Sequence, residues 1–448
     1  MIKKAFSFFI CVVMTLSICT VFSACKSSAQ NTDVDSAYNT DMIPGGVADV
    51  SEEVLAALSD SGEVTVYEFG VELSQSRKDF IEYFSEVYGG TVDVRQVIWE
   101  GWEKKFISDF AAGDAPDTIS LFYKLWPKAA NRGMVYSVDE LKQLGVIGLD
   151  HPVFENQTEV SAQNFSYKGK AYSFGVSYLS AIYCCVNLDL FKEYDVKSPV
   201  EYYEEGTWNW DNFVKCSREL SRDLDGDGNN DIYGYYGWDT DWFVVANGAQ
   251  LVRMDDEGKI YTCFDDIAVD NALYNTNKLY KDYKCATSSD TFSTGKVGIL
   301  AALKTNISKP IGRGDISFNW DIVPFPYGPD NKNGELPGDI NGNAIVSSTD
   351  NPQGALNYVI ASKVFNNMYE AEYDDEKMSV FNENQLQLIS DYDVHTNNAF
   401  FMGVGTLWNS QWDFWTALKK SANVSEVLES YRPMFAAQCE LEMSSSAD

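Results

Sequence analysis

Apolar residues follow two spacings that alternate along the chain, one typical of strands and one typical of helices. The strands predicted from this spacing lie over residues 64–69, 92–98 and 117–122. Apolar residues three or four positions apart predict helices over 77–88 and from Trp102 to near Gly113. Strands that alternate with helices form a largely parallel sheet covered on both faces, so the pattern predicts an α/β fold.

A second series of the same kind begins after residue 180. Residues 181–188 (AIYCCVNL) form a continuous apolar run, which is typical of a strand buried on both faces. Shortly before this run, Lys168 and Gly169 separate two short aromatic segments and predict a hairpin. A chain of 448 residues with two such series is long enough for two domains.

The first 24 residues have the features of a secretion signal. Lys3 and Lys4 precede an apolar run over 5–22, and small residues follow at the end of the run. Residues 22–25 resemble the end of a bacterial lipoprotein signal, in which the cysteine is lipidated and becomes the new N-terminus. The resemblance predicts that Cys25 carries lipid at the extracytoplasmic face of the bacterial cell membrane. We expect residues 25–61 to be a flexible tether.

The charge of the chain excludes some classes of partner. It contains 34 Lys and Arg against 66 Asp and Glu, which gives a formal net charge of −32. Such acidity argues against binding of nucleic acid, or of an anionic membrane, by the folded body. No second apolar run is as long as a membrane span, so we expect membrane contact through the lipid anchor only.

The cysteines outside the signal do not predict a metal site. Six follow the lipidation candidate, at Cys184, Cys185, Cys216, Cys263, Cys285 and Cys439. None of them has a spacing such as C-x-x-C, which zinc sites use. Export permits disulfides, but the sequence does not assign any pair. Cys184 and Cys185 lie in an apolar run, where we expect both to pack as small hydrophobic residues.

Eight short motifs occur in a fixed order along the chain. They lie at residues 112–117, 133–141, 167–172, 187–191, 208–213, 292–299, 320–329 and 350–356. Taken in this order over about residues 62–440, they resemble the family 1 extracellular solute-binding proteins of ABC importers, the class that includes maltose-binding protein. Gly175 and Val186 depart from the pattern, because the family usually has a proline and a tyrosine at these positions.

This resemblance implies a two-lobed periplasmic-binding-protein-like fold of type II, with two α/β domains joined by a hinge that the chain crosses several times. It implies an N-lobe over 62–176 and 327–385 and a C-lobe over 177–326 and 386–448. The expected crossings lie near 175–180, 324–328 and 380–390. A ligand captured in the cleft by hinge closure would then be delivered to the permease subunits of an ABC importer.

Aromatic residues make up 14% of the chain and predict the class of ligand. Flat aromatic faces suit the apolar C–H face of a sugar ring, while carboxylates and amides suit its hydroxyl groups. Aromatic and polar residues that follow predicted strands are the candidate contacts for an oligosaccharide. They are Phe69, Glu72, Trp99, Glu100, Tyr123, Trp126, Tyr178, Trp238, Asp239, Trp242, Trp408 and Asn409. The alternative for each aromatic residue is core packing, which we expect for Trp102, Phe106 and Phe110.

An acidic loop between residues 223 and 231 resembles a calcium-binding loop. Its candidate ligands are Asp223, Asp225, Asp227, Asn229 and Asp231. Alternate oxygen ligands followed by Gly228 suit a hard cation at a sharp turn, so we expect a structural Ca²⁺ here. The loop departs from an EF-hand because Gly234 occupies the position of the bidentate glutamate and a strand follows. The alternative is ordinary turn chemistry with solvated charges.

Catalysis finds little support in the sequence. His151 and His395 are the only histidines, and neither lies in a triad or a metal motif. We therefore expect a monomeric binding protein that uses no organic cofactor and is not an enzyme. Two alternatives remain open. The same fold can serve a peptide, another small solute or a sensor kinase, and paired carboxylates leave open a carbohydrate-active enzyme.

Overall fold

The computed structural model describes residues 50–122, 125–155, 157–237, 241–369, 378–398 and 405–443. Its strands are β1 (Gly62–Phe69), β2 (Gly90–Val97), β3 (Thr118–Leu121), β4 (Ser166–Tyr167), β5 (Lys170–Ala171), β6 (Val176–Asn187), β7 (Tyr233–Gly237), β8 (Val252–Met254), β9 (Ile260–Thr262), β10 (Ala286–Thr287), β11 (Val297–Leu303), β12 (Trp320–Pro324), β13 (Leu336–Ile345) and β14 (Thr396–Asn398). A 10-stranded sheet runs in the order β10-β7-β11-β6-β13-β3-β1-β2, with β12 paired to β6 and β14 paired to β13.

Helices cover this sheet. They are α1 (Glu52–Leu58), α2 (Gln75–Tyr88), α3 (Trp102–Ala112), α4 (Lys128–Asn131), α5 (Val138–Gln143), α6 (Thr158–Asn164), α7 (Leu188–Glu193), α8 (Pro199–Glu204), α9 (Trp210–Leu220), α10 (Trp242–Ala246), α11 (Ile267–Lys281), α12 (Lys304–Gly312), α13 (Pro352–Tyr369), α14 (Glu383–Asp393), α15 (Gly405–Lys420) and α16 (Val424–Met443). Short 3-10 turns lie at Pro152–Phe154 and Met378–Val380. No described helix is both long and apolar enough to cross a membrane.

The strands and helices predicted for the first part of the chain are confirmed to within a few residues. β1 and β2 are parallel, with Gly62 opposite Gly90 at the start of the register. β3 is parallel to β1, with Thr118 opposite Val66. The carboxyl ends of β1, β2 and β3 therefore lie at the same edge of the sheet, where ligand sites of α/β proteins are commonly found.

The expectation of a largely parallel sheet was wrong for the strands that connect its two parts. β13 is antiparallel to β3, and β6 is antiparallel to β11, β12 and β13. We call β1, β2, β3 and β13 the first sheet half and β7, β10, β11 and β12 the second sheet half. The first residues of β6 pair with the first half and its last residues pair with the second half. These long connecting strands take their direction from antiparallel partners far along the chain, so periodicity alone did not reveal it.

Two local predictions in this region are confirmed. Residues 180–187 of β6 are buried throughout, as expected for a continuous apolar strand between covering layers. β4 and β5 form an antiparallel hairpin around Lys168 and Gly169, whose φ angles are 51° and 74°. Two consecutive positive φ values are those of a type I′ turn, which matches the right-handed twist of the flanking strands.

Hydrophobic cores lie on both sheet halves. One cluster of the first half packs between the sheet and helices α2 and α13, and a second cluster packs against α3. A larger cluster surrounds β6, β7, β11 and β12 and includes the side chains of α15 and α16. Cys184 and Cys185 are buried free thiols within this cluster, as expected for small hydrophobic residues. The exact lobe limits given above stay a prediction, but the last part of the expected tether is folded, because residues 52–58 form α1 and Leu58 is buried in the core.

Candidate ligand-binding cleft

Four aromatic side chains meet at the carboxyl ends of β1, β2 and β3. We call them the aromatic group: Phe69, Trp99, Trp102 and Phe122. The rings of Trp99 and Phe122 are stacked, with centroids 5.4 Å apart and an interplanar angle of 8°. Phe69 lies 5.5 Å from Trp99, and Trp102 lies 4.7 Å from Phe122. Trp102 is buried as predicted, whereas Trp99 is 50% exposed, so the group has a packed base and an open face.

A cavity of about 1250 Å³ extends from the open face of this group and is called the large cavity. Trp99 lines it from the first sheet half, and Tyr236 lines it from β7 in the second half. Tyr280 of α11 and Trp412 of α15 complete an aromatic wall around the same space. Ligand sites commonly lie between two domains, so this cavity has the expected position for the cleft.

A second cavity of about 270 Å³, called the small cavity, lies between the first sheet half and helix α13. Phe69 and Phe122 of the aromatic group line it, so the two cavities are separated by the stacked rings of Trp99 and Phe122. Its polar lining includes Lys363 of α13 and Asn343 of β13. The small cavity therefore offers a polar chamber next to the aromatic face.

The structure brings some of the predicted ligand contacts together. Phe69 and Trp99 lie in the aromatic group at the two cavities. Glu72 and Glu100 are exposed close to them in sequence, but neither carboxylate lines a cavity. Tyr178 lies on β6 between the sheet halves, where its hydroxyl is 3.1 Å from the Thr305 hydroxyl.

Two of the predicted contacts have their side chains in the core of this structure, which favours the alternative of packing. Trp126 is only 2% exposed, and its ring packs 5.5 Å from Phe165, next to the β4–β5 hairpin. Trp242 is buried in the core of the second half, 6.4 Å from Phe325. Both tryptophans pack against residues that are distant in sequence. The choice of candidates by their position after a predicted strand does not detect such partners.

Other predicted contacts are not tested by the described residues. Tyr123, Trp238 and Asp239 lie outside them, as does Cys25. Trp408 and Asn409 belong to helix α15, but the structure describes only their backbone. These contacts stay predictions.

The sequence reasoning missed Tyr280, Trp412, Asn343 and Lys363. In the structure Trp412 shares one face of α15 with Thr416 and Lys419, and all three line the large cavity. No sequence pattern marked Asn343 and Lys363 as candidates, because polar residues on a strand or a helix usually face solvent.

The acidic loop closes between α9 and β7. Arg222 and Ile232 form an isolated antiparallel bridge at its base, where Arg222 N–H donates to the Ile232 carbonyl at 2.9 Å. The Asp223 carboxylate accepts hydrogen bonds from the backbone N–H groups of Gly228 and Gly226, at 2.9 Å and 2.8 Å. The hydrogen bond from Gly228 contributes most to lowering the pKa of Asp223, and both bonds favour its charged form.

Three exposed carboxylates of the loop are close enough to share one cation. One carboxylate oxygen from each of three residues lies within 4.8 Å of the other two, and the residues are Asp223, Asp225 and Asp227. The Asp231 carboxylate accepts from Leu224 N–H at 2.8 Å, and Asn229 borders the large cavity. Oxygen ligands in this number and spacing fit Ca²⁺, although exposed acidic groups are also common without an ion, so calcium binding stays a prediction.

The fold and the cleft between its halves are those of a two-lobed periplasmic-binding-protein-like protein. The profile of the bacterial extracellular solute-binding protein family matches residues 71–375, which is more than half of the chain. The chain belongs to this family. A search of curated protein sequences found no match.

Solved structures with the same fold include proteins that bind different solutes. An ABC substrate-binding protein from Listeria monocytogenes, in complex with cycloalternan, aligns with a TM-score of 0.63 at 16% identity over 85% of this chain and 100% of that chain. The GacH receptor of Streptomyces glaucescens, solved with acarbose, aligns with a TM-score of 0.60 at 16% identity over 85% and 98%. A Mycobacterium tuberculosis protein in complex with glycerophosphocholine aligns with a TM-score of 0.61 at 15% identity over 86% and 100%.

Proposed function

We propose that this protein captures an oligosaccharide in the large cavity and delivers it to an ABC importer. The observation that carries the proposal is the aromatic wall, to which Trp99 contributes beside the first sheet half, Tyr236 from the second sheet half and Trp412 from α15. Aromatic faces stack on the C–H faces of sugar rings, and a ligand between two such faces buries more apolar area when the halves close.

The dimensions of the large cavity also support an oligosaccharide. About 1250 Å³ exceeds the volume of typical small-molecule sites, which reach roughly 1000 Å³. An amino acid or a metal ion would leave most of this space to water. The similar proteins bound to cycloalternan and acarbose support the same class of ligand.

Hinge closure would link binding to transport. A ligand that contacts both sheet halves favours the closed state, because only that state makes both sets of contacts. A permease can then distinguish loaded from empty protein by shape. Lipid on Cys25 would keep the protein at the membrane surface near its importer, and Cys25→Ser should release it into the medium.

The test is a thermal-shift screen of the purified protein against a panel of oligosaccharides, amino acids and peptides. Binding raises the melting temperature, because the folded state gains RT ln(1 + [L]/Kd) of stability. The radius of gyration from small-angle scattering should decrease with the best ligand. Trp99→Ala and Trp412→Ala should each weaken binding by about tenfold or more, as expected for aromatic anchors.

The matched control is Tyr261→Ala, which removes an exposed aromatic residue of β9 that lines neither cavity. It should leave the affinity unchanged. A shift with peptides or amino acids and none with any saccharide would overturn the carbohydrate assignment. A second candidate is a small solute that is not a sugar, which the similar protein bound to glycerophosphocholine favours.

A further inference from the structure

The charge of the cavity walls is opposite to that of the whole chain. Asp and Glu outnumber Lys and Arg by 66 to 34. Yet the described residues that line the two cavities include five basic side chains and no carboxylate. The basic residues are Arg77 and Lys363 in the small cavity, and Lys281, Lys419 and Lys420 in the large cavity.

Lys363 has no carboxylate partner among the described residues, in contrast to Arg77. The Arg77 guanidinium pairs with Glu68 at 2.8 Å and also donates to the Tyr358 hydroxyl. The Lys363 ammonium donates to the Val176 carbonyl, and no described carboxylate forms an ion pair with it. Desolvation lowers the pKa of Lys363 to about 8, so keeping its amine protonated at neutral pH reduces the stability of the folded protein. Buried charges without a partner are commonly found at functional sites.

Asn343 adds a further donor to the same chamber, and its amide N–H group has no acceptor among the described residues. Its side chain is 8% exposed, and its Nδ2 donates no hydrogen bond within the described part of the protein. A buried N–H group that lacks an acceptor costs free energy, which a ligand oxygen can recover. The hydroxyls of Ser120 and Ser177 also line the chamber, where they are hydrogen-bonded to each other and Ser177 donates to the Asn341 carbonyl. The small cavity is therefore suited to an oxyanion through Lys363 and Asn343.

Size and position limit what the small cavity can hold. Its 270 Å³ lies just below the range of sites for whole small molecules, which starts at roughly 300 Å³. It is large enough for one end of a ligand but not for a whole oligosaccharide. The stacked Trp99–Phe122 pair forms the wall between the two spaces, so a chain that passes this pair contacts both.

We propose that the ligand is an anionic saccharide, whose terminal oxyanion binds Lys363 and Asn343 in the small cavity while its ring faces lie on the aromatic wall. The assignment rests on the proposed oligosaccharide function and names its substrate class. The oxyanion is a carboxylate, a sulfate or a phosphate. Charge-assisted hydrogen bonds from an ammonium to any of them are about twice as strong as neutral ones.

Calorimetry with matched pairs of ligands tests the proposal and separates the three sources of charge. The carboxylate pair is trigalacturonate and its methyl ester, the sulfate pair is a carrageenan disaccharide and its desulfated form, and the phosphate pair is 6-phosphomaltotriose and maltotriose. In one pair the acidic member should bind at least tenfold more tightly than the neutral one, which equals about 1.4 kcal/mol.

Two variants locate the effect. Lys363→Met removes the charge but keeps the length of the side chain, and it should abolish the preference for the acidic member. The melting temperature of the ligand-free variant should rise at pH 7, whereas a purely structural role of Lys363 would lower it. Asn343→Asp keeps the shape but places a carboxylate in the chamber, so it should also remove the preference. Lys215→Met, at an exposed position of α9, should change neither property.

The outcomes distinguish this inference from the function on which it rests. Equal affinity for both members of every pair would overturn the anionic assignment and leave the oligosaccharide function intact. A preference that survives in both Lys363→Met and Asn343→Asp would overturn the assignment of the small cavity. Absence of binding to every saccharide would overturn the proposed function itself.

Discussion

His151 is held in a neutral state by its surroundings. Its side chain is 3% exposed, and its Nδ1 accepts a hydrogen bond from Val153 N–H at 3.1 Å. Its Nε2 has no partner within the described residues, so a proton bound there would gain no acceptor. Burial lowers the pKa of His151 to about 4, because the charged ring would lose its hydration.

This pKa makes stability depend on pH in a defined window. The unfolded chain takes up a proton at His151 below about pH 6.5, but the folded protein does so only below about pH 4. The free energy of unfolding should therefore fall as the pH decreases from 6.5 towards 4, by roughly 1.5 kcal/mol between pH 6.5 and 5 from this group. His151→Asn keeps an acceptor for Val153 N–H but does not titrate.

Urea unfolding at both pH values measures the effect. The loss of stability between pH 6.5 and 5 should be smaller in His151→Asn than in the wild type, by the amount given above. Carboxylates that titrate in the same pH range contribute equally to the loss of stability of both proteins, so their contribution cancels in the difference. An equal loss in the two proteins would contradict the assignment of a buried neutral imidazole.

Trp99 and Trp126 show why the candidate contacts were only partly predictable. Both follow a strand of the first half, and residue type and position predicted a ligand contact for each. Trp99 is half exposed in the aromatic group, but Trp126 is covered by Phe165 and Tyr172. These partners lie some forty residues further along the chain, and only the folded structure shows that they cover this position.

The acidic loop shows how packing between a helix and a strand limits a local motif. The sequence revealed the missing glutamate at Gly234 but gave no cause for it. In the structure, β7 passes so close to α9 that a Cβ atom on Gly234 would lie 2.1 Å from the Ser217 carbonyl oxygen. A glutamate cannot occupy this position, so the loop cannot acquire the twelfth ligand of an EF-hand without moving the strand.

We expect the loop to bind calcium weakly through its remaining ligands. Extracellular modules of this kind bind Ca²⁺ with Kd values of roughly 10⁻⁴–10⁻³ M. Millimolar calcium should therefore raise the melting temperature, and a chelator should reverse the effect. The double variant Asp225→Asn/Asp227→Asn should lose the response, because two of the three clustered carboxylates are removed.

Glu53→Gln is the control for the loss of an exposed acidic charge outside the loop, and it should respond to calcium as the wild type does. The metal content after dialysis gives an independent measurement. If a chelator leaves both the melting temperature and the metal content unchanged, the loop binds no calcium and is an ordinary turn with solvated charges.

The alternation of strands and helices predicted the class of fold, but not how its two halves are connected. Local periodicity correctly placed the βα units, because each is built from contacts between neighbouring segments. β6 and β13 obtain their direction from partners more than a hundred residues away. The family resemblance predicted crossings that periodicity did not, and these stay a prediction, whereas the buried run 181–188 correctly marked the central strand β6.

One carboxylate joins three elements at this central strand. Asp393, the last residue of α14, accepts hydrogen bonds from Ala181 N–H at 2.8 Å and from the Tyr183 hydroxyl at 2.6 Å, both on β6. Its other oxygen pairs with the Lys304 ammonium at the start of α12, at 2.7 Å. Because β6 pairs with both sheet halves, loss of this contact affects the strand that connects them.

We expect Asp393→Ala to lower the free energy of unfolding by about 3–5 kcal/mol, since it leaves the largely buried Lys304 ammonium without its carboxylate partner and removes one of the two acceptors of the Tyr183 hydroxyl. Asp391→Ala removes an exposed carboxylate from the same helix and should cost less than about 0.5 kcal/mol. Urea unfolding of the two variants measures the difference. Equal stability would mean that backbone pairing of β6 alone, without this carboxylate, holds the strand that connects the two halves.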